Sequence, residues 1–245
     1  MTLPDLHEPY NIPLKAILDF AHDWKPHFIQ YLGDATNAES VNHWKLDRGY
    51  NPDVASIKID YKNLEDNILL PFKKSCPKAR TIYHIGNHED WFYQMLLRHT
   101  YLEGFCEFEK NIDLDKYKME VIPLNGFKNF GHLYFTHGNY ASGDFHAKKM
   151  VLHYRKNIRY GHIHDEQSYS VQSPMDSEEK MVGKSIGCLC IPSKMDYLKK
   201  KPHKWINSFH IAYIRDDGDF NDYVIVVSRG KFTAPNGKVY SSETF

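Results

Sequence analysis

The sequence predicts a layered α/β fold in a single domain. Helical and extended segments alternate over the first half of the chain, whereas extended segments dominate after Phe130. Such alternation is typical of sheets that are covered by helices. The 245 residues are enough for one sizeable core, and α/β folds of this length are commonly single domains. We therefore expect one domain over residues 1–245, with an insert around 38–78 as a candidate lid.

Periodicity and turn residues predict the individual elements. Helices are expected near Pro13–Trp24, Val54–Lys74, His88–Leu102 and His146–Lys156. Strands are expected near Phe28–Leu32, Thr81–Ile85, Leu133–Thr136, Ile158–His162, Ser168–Gln172, Met181–Cys190, Phe209–Ile214 and Tyr223–Ser228. The run Asp216–Asp219 predicts a hairpin between the last two strands. Only four residues precede Asp5, so the first strand is either short or begins upstream of Met1.

Composition narrows the class of function. Lys and Arg together number 31, as do Asp and Glu, so the chain lacks the overall basic field of a dedicated nucleic-acid binder. Its apolar runs, such as Val224–Val227, are far shorter than a membrane span, and no signal-peptide pattern opens the sequence. The four cysteines lack the Cys-x-x-Cys spacing and are expected to be reduced and buried. We expect a soluble, cytoplasmic protein that does not bind membranes.

Five short polar runs carry the functional signal. They are Asp5-Leu6-His7, Gly33-Asp34, Gly86-Asn87-His88-Glu89, His137-Gly138 and Gly161-His162-Ile163-His164. Most of them end or interrupt a predicted strand, so their side chains are expected to emerge along one edge of a sheet. The Asp5–His7 and His162–His164 pairs are each separated by one residue, which puts both side chains on one face of an extended chain. Asp34 has two carboxylate oxygens and can bridge two ions, while Asn87 and His137 add an oxygen and a nitrogen.

In order and spacing, the five runs resemble the signature of the calcineurin-like metallophosphoesterase superfamily, which reads D-x-H, GD, GNH-D/E, a lone His and GHxH. The resemblance spans residues 5–164 and implies a four-layer α-β-β-α sandwich with two mixed β-sheets. Carried over residue by residue, it implies one metal held by Asp5, His7, Asp34 and His164. It implies a second metal held by Asp34, Asn87, His137 and His162. His88 is not among these ligands, and the resemblance implies that it takes part in the reaction.

The resemblance predicts a dinuclear metal-dependent phosphoesterase. Two metals about 3.5 to 4 Å apart clamp a phosphoryl group and acidify a bound water, so a metal-bridging hydroxide is the expected nucleophile. His88 is the expected general acid, because an alkoxide leaves poorly unless it is protonated. The cofactors are expected to be two divalent transition metal ions, with Mn favoured and Fe, Zn, Ni or Co as alternatives. The favoured substrate is a phosphodiester of a nucleotide or nucleic acid.

Two other functions stay open, a phosphomonoesterase and a non-catalytic metal-binding scaffold of the same fold. The second run continues as Ala35-Thr36-Asn37, whereas the phosphoprotein phosphatases of the superfamily read GDxxDRG. Asn37 is expected to accept a hydrogen bond from His88 without stabilising its cation as a carboxylate would. A protein serine/threonine phosphatase is therefore not expected.

Some residues outside the five runs are candidates for the rim of the site. The stretch Lys194–Trp205 joins lysines to Tyr197 and Trp205, a combination that can hold a phosphate backbone and stack a base. His43 and His146 are candidates to reach the site from neighbouring loops. The compact chain resembles small phage and bacterial members of the superfamily, which implies a bacterial cytoplasm or, for a phage, the cytoplasm of its host. The oligomeric state has no signal in the sequence.

Overall fold

Two mixed β-sheets lie at the centre of the fold. The structure is a computed structural model, which describes residues 1–42, 45, 49, 53–195, 198 and 202–242, without the side chains at 173 and 176–179. The strands are β1 (Thr2–Leu3), β2 (Phe28–Tyr31), β3 (Arg80–His84), β4 (Met119–Ile122), β5 (Lys128–Phe130), β6 (Leu133–Thr136), β7 (Asn157–Tyr160), β8 (Glu166–Ser173), β9 (Asp176–Ile186), β10 (Ser208–Ile214), β11 (Phe220–Val226), β12 (Lys231–Thr233) and β13 (Val239–Ser241). The first sheet has the order β11-β10-β1-β2-β3-β4 and the second has the order β5-β6-β7-β9-β8.

Both sheets contain parallel and antiparallel pairs. The strands β1 to β4 run parallel to one another, and β10 and β11 extend that sheet with antiparallel pairs. In the second sheet, β6, β7 and β9 run parallel, while β5 and β8 are antiparallel to their neighbours. Because the carboxyl ends of parallel strands lie at one edge, the loops after β1, β2, β3, β6 and β7 are brought together.

The two large sheets pack face to face. The ring of Phe28 on β2 lies 4.9 Å, between centroids, from the ring of Phe130 on β5. A buried apolar cluster continues this contact, with members from the region of β2, β6 and β9: Leu32, Leu133, Phe135 and Ile186. The strands therefore enclose an inner core between the sheets.

Helices cover the outer faces of both sheets. They are α1 (Lys15–Trp24), α2 (Val54–Leu64), α3 (Leu70–Ser75), α4 (Asn87–Arg98), α5 (Phe108–Asn111), α6 (Leu114–Tyr117) and α7 (His146–Tyr154), with a π-helical turn at Glu65–Leu69 between α2 and α3. Phe20 on the buried face of α1 packs against Phe209 of β10. On the other side, α7 lies so close to β9 that a Cβ at Gly183 would meet the carbonyl oxygen of Ala147 at 2.6 Å. The fold is the expected four-layer α-β-β-α sandwich.

The predicted helices and strands are present, with shifted ends. The long helix expected over 54–74 is one helical stretch that contains the π-helical turn. The hairpin at Asp216–Asp219 is confirmed, since β10 and β11 pair in register from Ser208 with Val226 to Ile214 with Phe220. The first strand is short, but it pairs with both β2 and β10.

The insert around 38–78 contributes to the core in its second half. Ile57, Leu64, Ile68 and Phe72 are buried there in the main apolar cluster. Residues 43, 44, 46–48 and 50–52, among them the candidate His43, lie outside the described residues, and a lid remains a prediction. Among the described helices, none has both the length and the apolar character that a membrane crossing requires.

Candidate metal centre

The seven predicted ligands lie after the carboxyl ends of three parallel strands of the first sheet and two parallel strands of the second. Asp5 and His7 follow β1, Asp34 follows β2, Asn87 begins α4 after β3, His137 follows β6, and His162 and His164 follow β7. Backbone hydrogen bonds tie these loops together. The N–H of His7 donates to the carbonyl oxygen of Asp34 at 2.9 Å, and the N–H of Gly161 donates to that of His137 at 2.9 Å.

One group of ligand atoms consists of Asp5, His7, Asp34 and His164, all within 4.8 Å of one another and all buried. The Nε2 atoms of His7 and His164 face each other at 3.2 Å. Oδ1 of Asp5 lies 3.2 Å from Nε2 of His164, and Oδ2 of Asp34 lies 3.9 Å from Nε2 of His7. Two imidazoles and two carboxylates thus converge on one point.

A second group shares Asp34 with the first. Asp34, His137 and His162 offer ligand atoms within 4.8 Å of one another, and Oδ2 of Asp34 lies 3.5 Å from Nε2 of His137. Oδ1 of Asn87 lies between the two histidines, 3.0 Å from Nε2 of His137 and 2.8 Å from Nδ1 of His162. The structure therefore brings all seven predicted residues together, in the two sets that the resemblance implied.

Hydrogen bonds fix which ring nitrogen of two histidines is available to a cation. Nδ1 of His7 donates to Oδ1 of Asn37 at 2.9 Å, and Nδ1 of His137 donates to the carbonyl oxygen of Leu32 at 2.8 Å. Both bonds leave Nε2 as the nitrogen that faces the other polar groups of the site, and either a proton or a cation must lie between such groups. The donor set therefore fits divalent cations.

The backbone at the site is left-handed at five of the seven residues. The φ angles are 42° at Asp5, 51° at His7, 50° at Asp34, 66° at His162 and 67° at His164. This corrects the expectation that the Asp5–His7 and His162–His164 pairs lie along an extended chain. Their side chains converge because the chain bends after each strand, at a cost of about 1 kcal/mol for each left-handed residue that the surrounding contacts must offset.

Two glycines allow the close approach of these loops. Gly33 has a φ of 92°, and a Cβ there would lie 2.4 Å from Nδ1 of His137. A Cβ at Gly86 would lie 2.2 Å from Oδ1 of Asp34. Any larger residue at either position would displace a candidate ligand.

Glu89 holds the loop that carries Asp34, a function that the sequence analysis did not identify. Its carboxylate is buried and accepts five hydrogen bonds, from the N–H groups of residues 34, 35, 36 and 86 and from the hydroxyl of Tyr83, at 2.8 to 3.2 Å. Burial raises the pKa of Glu89 to about 7, while the bond from Tyr83 favours the ionised form. This role could have been predicted from the position of Glu89 in the first turn of α4, because a carboxylate there can accept hydrogen bonds from the backbone that precedes the helix.

His88 lies over the shared carboxylate. Its Nε2 is 4.0 Å from Oδ2 of Asp34, and its ring lies 3.9 Å, between centroids, from that of Trp91. Nδ1 donates to the backbone carbonyl oxygen of Asn37 at 2.9 Å, which corrects the expectation that the Asn37 side chain accepts this bond. The backbone N–H of His88 donates to Oδ1 of Asp34 at 2.9 Å, so that amide is engaged with Asp34.

Charges at the site are strongly coupled. Burial alone would raise the pKa of Asp34, but His137 and His88 hold it well below its usual value. Burial opposes the charge on His137, yet Asp34 raises the pKa of His137 to about 10. Burial lowers the pKa of His88, and Asp34 acts in the opposite direction. The carboxylates therefore stabilise positive charge at the site, which either a protonated histidine or a metal ion can supply.

A cleft of about 560 Å³ opens over both groups and reaches His7, Asp34, Asn87, His88, His162 and His164. Its walls include the aromatic rings of Tyr10, Trp91 and Trp205. Lys194 also lines the cleft, so the described ends of the Lys194–Trp205 stretch border it, whereas residues 196, 197 and 199–201 lie outside the described residues. His146 does not reach the cleft: its ring bonds to the hydroxyl of Tyr160 at 2.7 Å and to Oδ2 of Asp165 at 3.0 Å.

Comparison with known proteins gives weak similarities only. No family model matches this chain, and no curated protein sequence matches it. It is similar to the zinc complex of wild-type Vps29 from Entamoeba histolytica, with 13% identity, a TM-score of 0.48, and coverage of 95% of this chain and 94% of that chain. A single mutant of the same Vps29 has 11% identity, a TM-score of 0.47, and coverage of 94% and 92%. Because these TM-scores are below 0.5, the fold assignment depends on the sheets described above.

Proposed function

We propose that this chain is a metal-dependent phosphoesterase of the calcineurin-like metallophosphoesterase type, with two metal ions bound at the candidate centre. One observation supports this most strongly. Seven side chains from five separate runs converge in two groups that share the carboxylate of Asp34. Structural metal sites are usually closed by four ligands, whereas this centre opens into a cleft, as a site that acts on a substrate must.

In this proposal each group of residues has a definite task. Asp5, His7, Asp34 and His164 would hold one cation, and Asp34, Asn87, His137 and His162 would hold the other. When bound, the pair of cations would polarise the phosphoryl group and supply the nucleophile by acidifying water. His88 lines the cleft with Nε2 while the carbonyl of Asn37 orients its ring, so it is positioned to protonate the leaving oxygen.

Charge in the cleft favours a phosphodiester over a phosphomonoester. Among the described residues that line it, the cations outside the histidines are Lys45 and Lys194, and Lys45 is paired with Glu39. A dianionic monoester is usually held by arginines that bond both oxygens, and no described lining residue is an arginine. The walls formed by Tyr10, Trp91 and Trp205 offer stacking surfaces for a nucleobase, which supports a nucleotide or nucleic-acid substrate.

Hydrolysis of model esters tests the proposal. We expect Mn²⁺-loaded protein to hydrolyse bis-p-nitrophenyl phosphate faster than p-nitrophenyl phosphate, and we expect Asp34→Asn to reduce this activity at least about 100-fold because the shared ligand is weakened. Asp19→Asn is a matched control, since Asp19 is an exposed carboxylate on α1.

The outcomes separate the three functions. A preference for the monoester would favour a phosphomonoesterase. If the protein binds two metal ions and hydrolyses neither ester, nor cyclic nucleotides or single-stranded DNA, the phosphoesterase proposal is wrong and a metal-binding scaffold is favoured. The presence of His88 in the cleft is the observation that favours an enzyme over a scaffold.

A further inference from the structure

Two cysteines lie next to one of the candidate metal ligands. Cys188 and Cys190 are separated by one residue, and their sulfur atoms lie within 4.8 Å of each other and of a ring nitrogen of His164. All three residues are buried. The proposed phosphoesterase uses His164 but neither cysteine.

The backbone around the two cysteines is held in place from both sides. The N–H of Cys188 donates to the carbonyl oxygen of Ile206 at 3.0 Å, and the N–H of Leu189 donates to that of Asp5 at 3.1 Å. Nδ2 of Asn207 donates to the carbonyl oxygen of Cys190 at 2.7 Å and lies 3.8 Å from Sγ of Cys188. The backbone that carries the two thiols is therefore held in place before any ion binds, which lowers the cost of binding one.

His164 has one ring nitrogen without a partner. Its Nε2 faces Asp5 and His7, whereas its Nδ1 is buried and has no hydrogen-bond partner among the described residues. The second ring N–H of a metal-binding histidine normally donates to a carboxylate or carbonyl oxygen, and leaving such a group unpaired in the interior is destabilising. Nδ1 is thus the nitrogen that remains available to another ligand.

We propose that Cys188, Cys190 and Nδ1 of His164 form a third metal site, which takes a thiolate-preferring divalent cation such as Zn²⁺. Two thiolates and an imidazole are a soft donor set that selects zinc-like ions over Mn²⁺ or Mg²⁺. On binding, each thiol and the Nδ1 atom would release its proton to solvent, so that the ring of His164 bridges this cation and the first cation of the phosphoesterase centre.

The ordinary alternative is that the two thiols only fill space. Cys188 and Cys190 belong to a small apolar cluster with Met195, and buried cysteines often behave as small apolar residues. That alternative explains their burial, but it gives no partner to Nδ1 of His164. The third site accounts for the spacing of the cysteines and for the unpaired nitrogen together.

Cobalt spectroscopy tests the site without any measurement of turnover. Co²⁺ bound to thiolate gives an intense sulfur-to-metal charge-transfer absorption in the near ultraviolet, whereas Co²⁺ at the nitrogen and oxygen ligands of the phosphoesterase centre gives only weak visible bands. We expect wild-type protein titrated with Co²⁺ to bind three ions and to show the charge-transfer band. Cys188→Ser and Cys190→Ser should each bind two ions and lose the band.

Cys76→Ser is the matched control, because Cys76 is also a buried free cysteine but belongs to no candidate metal group among the described residues, and this variant should keep the band. Zinc X-ray absorption on the wild-type protein provides a measurement that needs no variant, with sulfur expected at about 2.3 Å from zinc. Absence of sulfur around zinc, or a charge-transfer band that survives in both serine variants, would overturn the inference. Hydrolysis of model esters reports on the other two sites, so the two proposals can fail separately.

Discussion

At the level of single residues, the proposed role of His88 as the general acid can be tested directly. Replacing His88 by Ala removes the proposed acid but none of the candidate metal ligands. We expect the variant to bind metal like the wild type and to hydrolyse esters with poor leaving groups about 100- to 10,000-fold more slowly. A p-nitrophenolate leaves without protonation, so activated esters should be affected far less.

The measurement compares kcat/KM for p-nitrophenyl and alkyl phosphodiesters in the wild type and in His88→Ala. His132→Ala serves as a control, because His132 is exposed on the loop between β5 and β6. Equal slowing of both classes of ester would reject a role in leaving-group protonation and would leave His88 a role in binding.

A second prediction for a single residue concerns the contribution of Glu89 to the free energy of unfolding. In Glu89→Gln one of the two accepting oxygens becomes a donating NH₂ group, which must then face at least two N–H groups of the loops at 34–36 and 86. We expect the free energy of unfolding to fall by at least about 2 kcal/mol, because buried donors lose their acceptors. Tyr83→Phe removes one hydrogen bond to the carboxylate but leaves no buried donor unpaired, so it should cost about 1.5 kcal/mol.

Urea unfolding of the two variants gives the comparison, and metal titration adds a second readout. Misplacement of Asp34 in Glu89→Gln should weaken metal binding about 10- to 100-fold, as is typical when a supporting hydrogen bond is lost. A Glu89→Gln variant as stable as the wild type would mean that Glu89 is protonated in the fold and that the loop does not require its charge.

At the level of elements, the sequence was enough to predict most strands that contain an apolar run. It did not predict short, half-polar strands, which form because they pair with another strand. The strand β2 and the loop at Gly33-Asp34 could be located because a buried run ends at a glycine. The strands β4 and β5 are short and half polar, and they exist because they pair with β3 and β6. Pairing with another strand is not contained in the periodicity of a single segment, whether the partner is distant, as for β4, or follows directly, as for β5.

The same division applies to the candidate site. The polar runs after predicted strands were enough to predict that the seven side chains meet at one edge of a sheet. Their division into two sets came from the resemblance to the metallophosphoesterase signature. The left-handed conformations of residues such as Asp5 and His164 were not predictable, since they arise from contacts between loops that are far apart in sequence. For the same reason, the sequence could not show that His88 bonds to the backbone of Asn37 instead of its side chain.

A partly buried ion pair joins the two sheets and gives a prediction at the level of elements. Asp222 on β11 accepts hydrogen bonds from Nε of Arg159 on β7 at 2.6 Å and from Nε2 of His210 on β10 at 2.9 Å. Burial would raise the pKa of Asp222, but His210 and Arg159 hold it well below its usual value. Asp222→Asn leaves the buried Arg159 without its charged partner, while its bonds to the carbonyl oxygens of Ile158 and Val182 remain. We expect a loss of about 3 kcal/mol at pH 7.

The sign of the pH dependence follows from the lowered pKa. The unfolded chain takes up a proton on this carboxyl before the folded chain does, so the stabilisation is present above the usual pKa of Asp and is lost as the pH falls below about 4. The difference in unfolding free energy between the wild type and Asp222→Asn should therefore shrink in acid. Asp219→Asn is the control, as Asp219 forms an exposed pair at the tip of the same hairpin. A constant difference from pH 7 to pH 3 would contradict this account.

At the level of the whole molecule, the candidate centre is a connection between the two sheets. Asp5, His7, Asp34 and Asn87 follow strands of the first sheet, while His137, His162 and His164 follow strands of the second. Bound cations would therefore hold together the carboxyl ends of both sheets. Ligands that bind only the folded chain stabilise all of it, whatever the local contacts are.

Metal binding should accordingly raise the melting temperature. At a free Mn²⁺ concentration of about 100 times the dissociation constant, one site contributes about 2.7 kcal/mol. For a chain of this size, 1 kcal/mol corresponds to about 2–4 °C, so we expect an increase of about 5–10 °C for each occupied site. Differential scanning calorimetry in Mn²⁺ and in a chelator measures the shift, and Mn²⁺ avoids the thiolate site because manganese prefers oxygen and nitrogen ligands.

The variants decide whether this increase comes from the candidate centre. Asp34→Asn weakens both sites at once and should lose most of the shift, whereas Asp5→Asn affects one group and should keep about half of it, because the second group does not include Asp5. Asp19→Asn should keep it all. If Mn²⁺ stabilised Asp34→Asn as much as the wild type, the ion would be bound elsewhere, and the two sheets would be joined at this end by protein contacts alone.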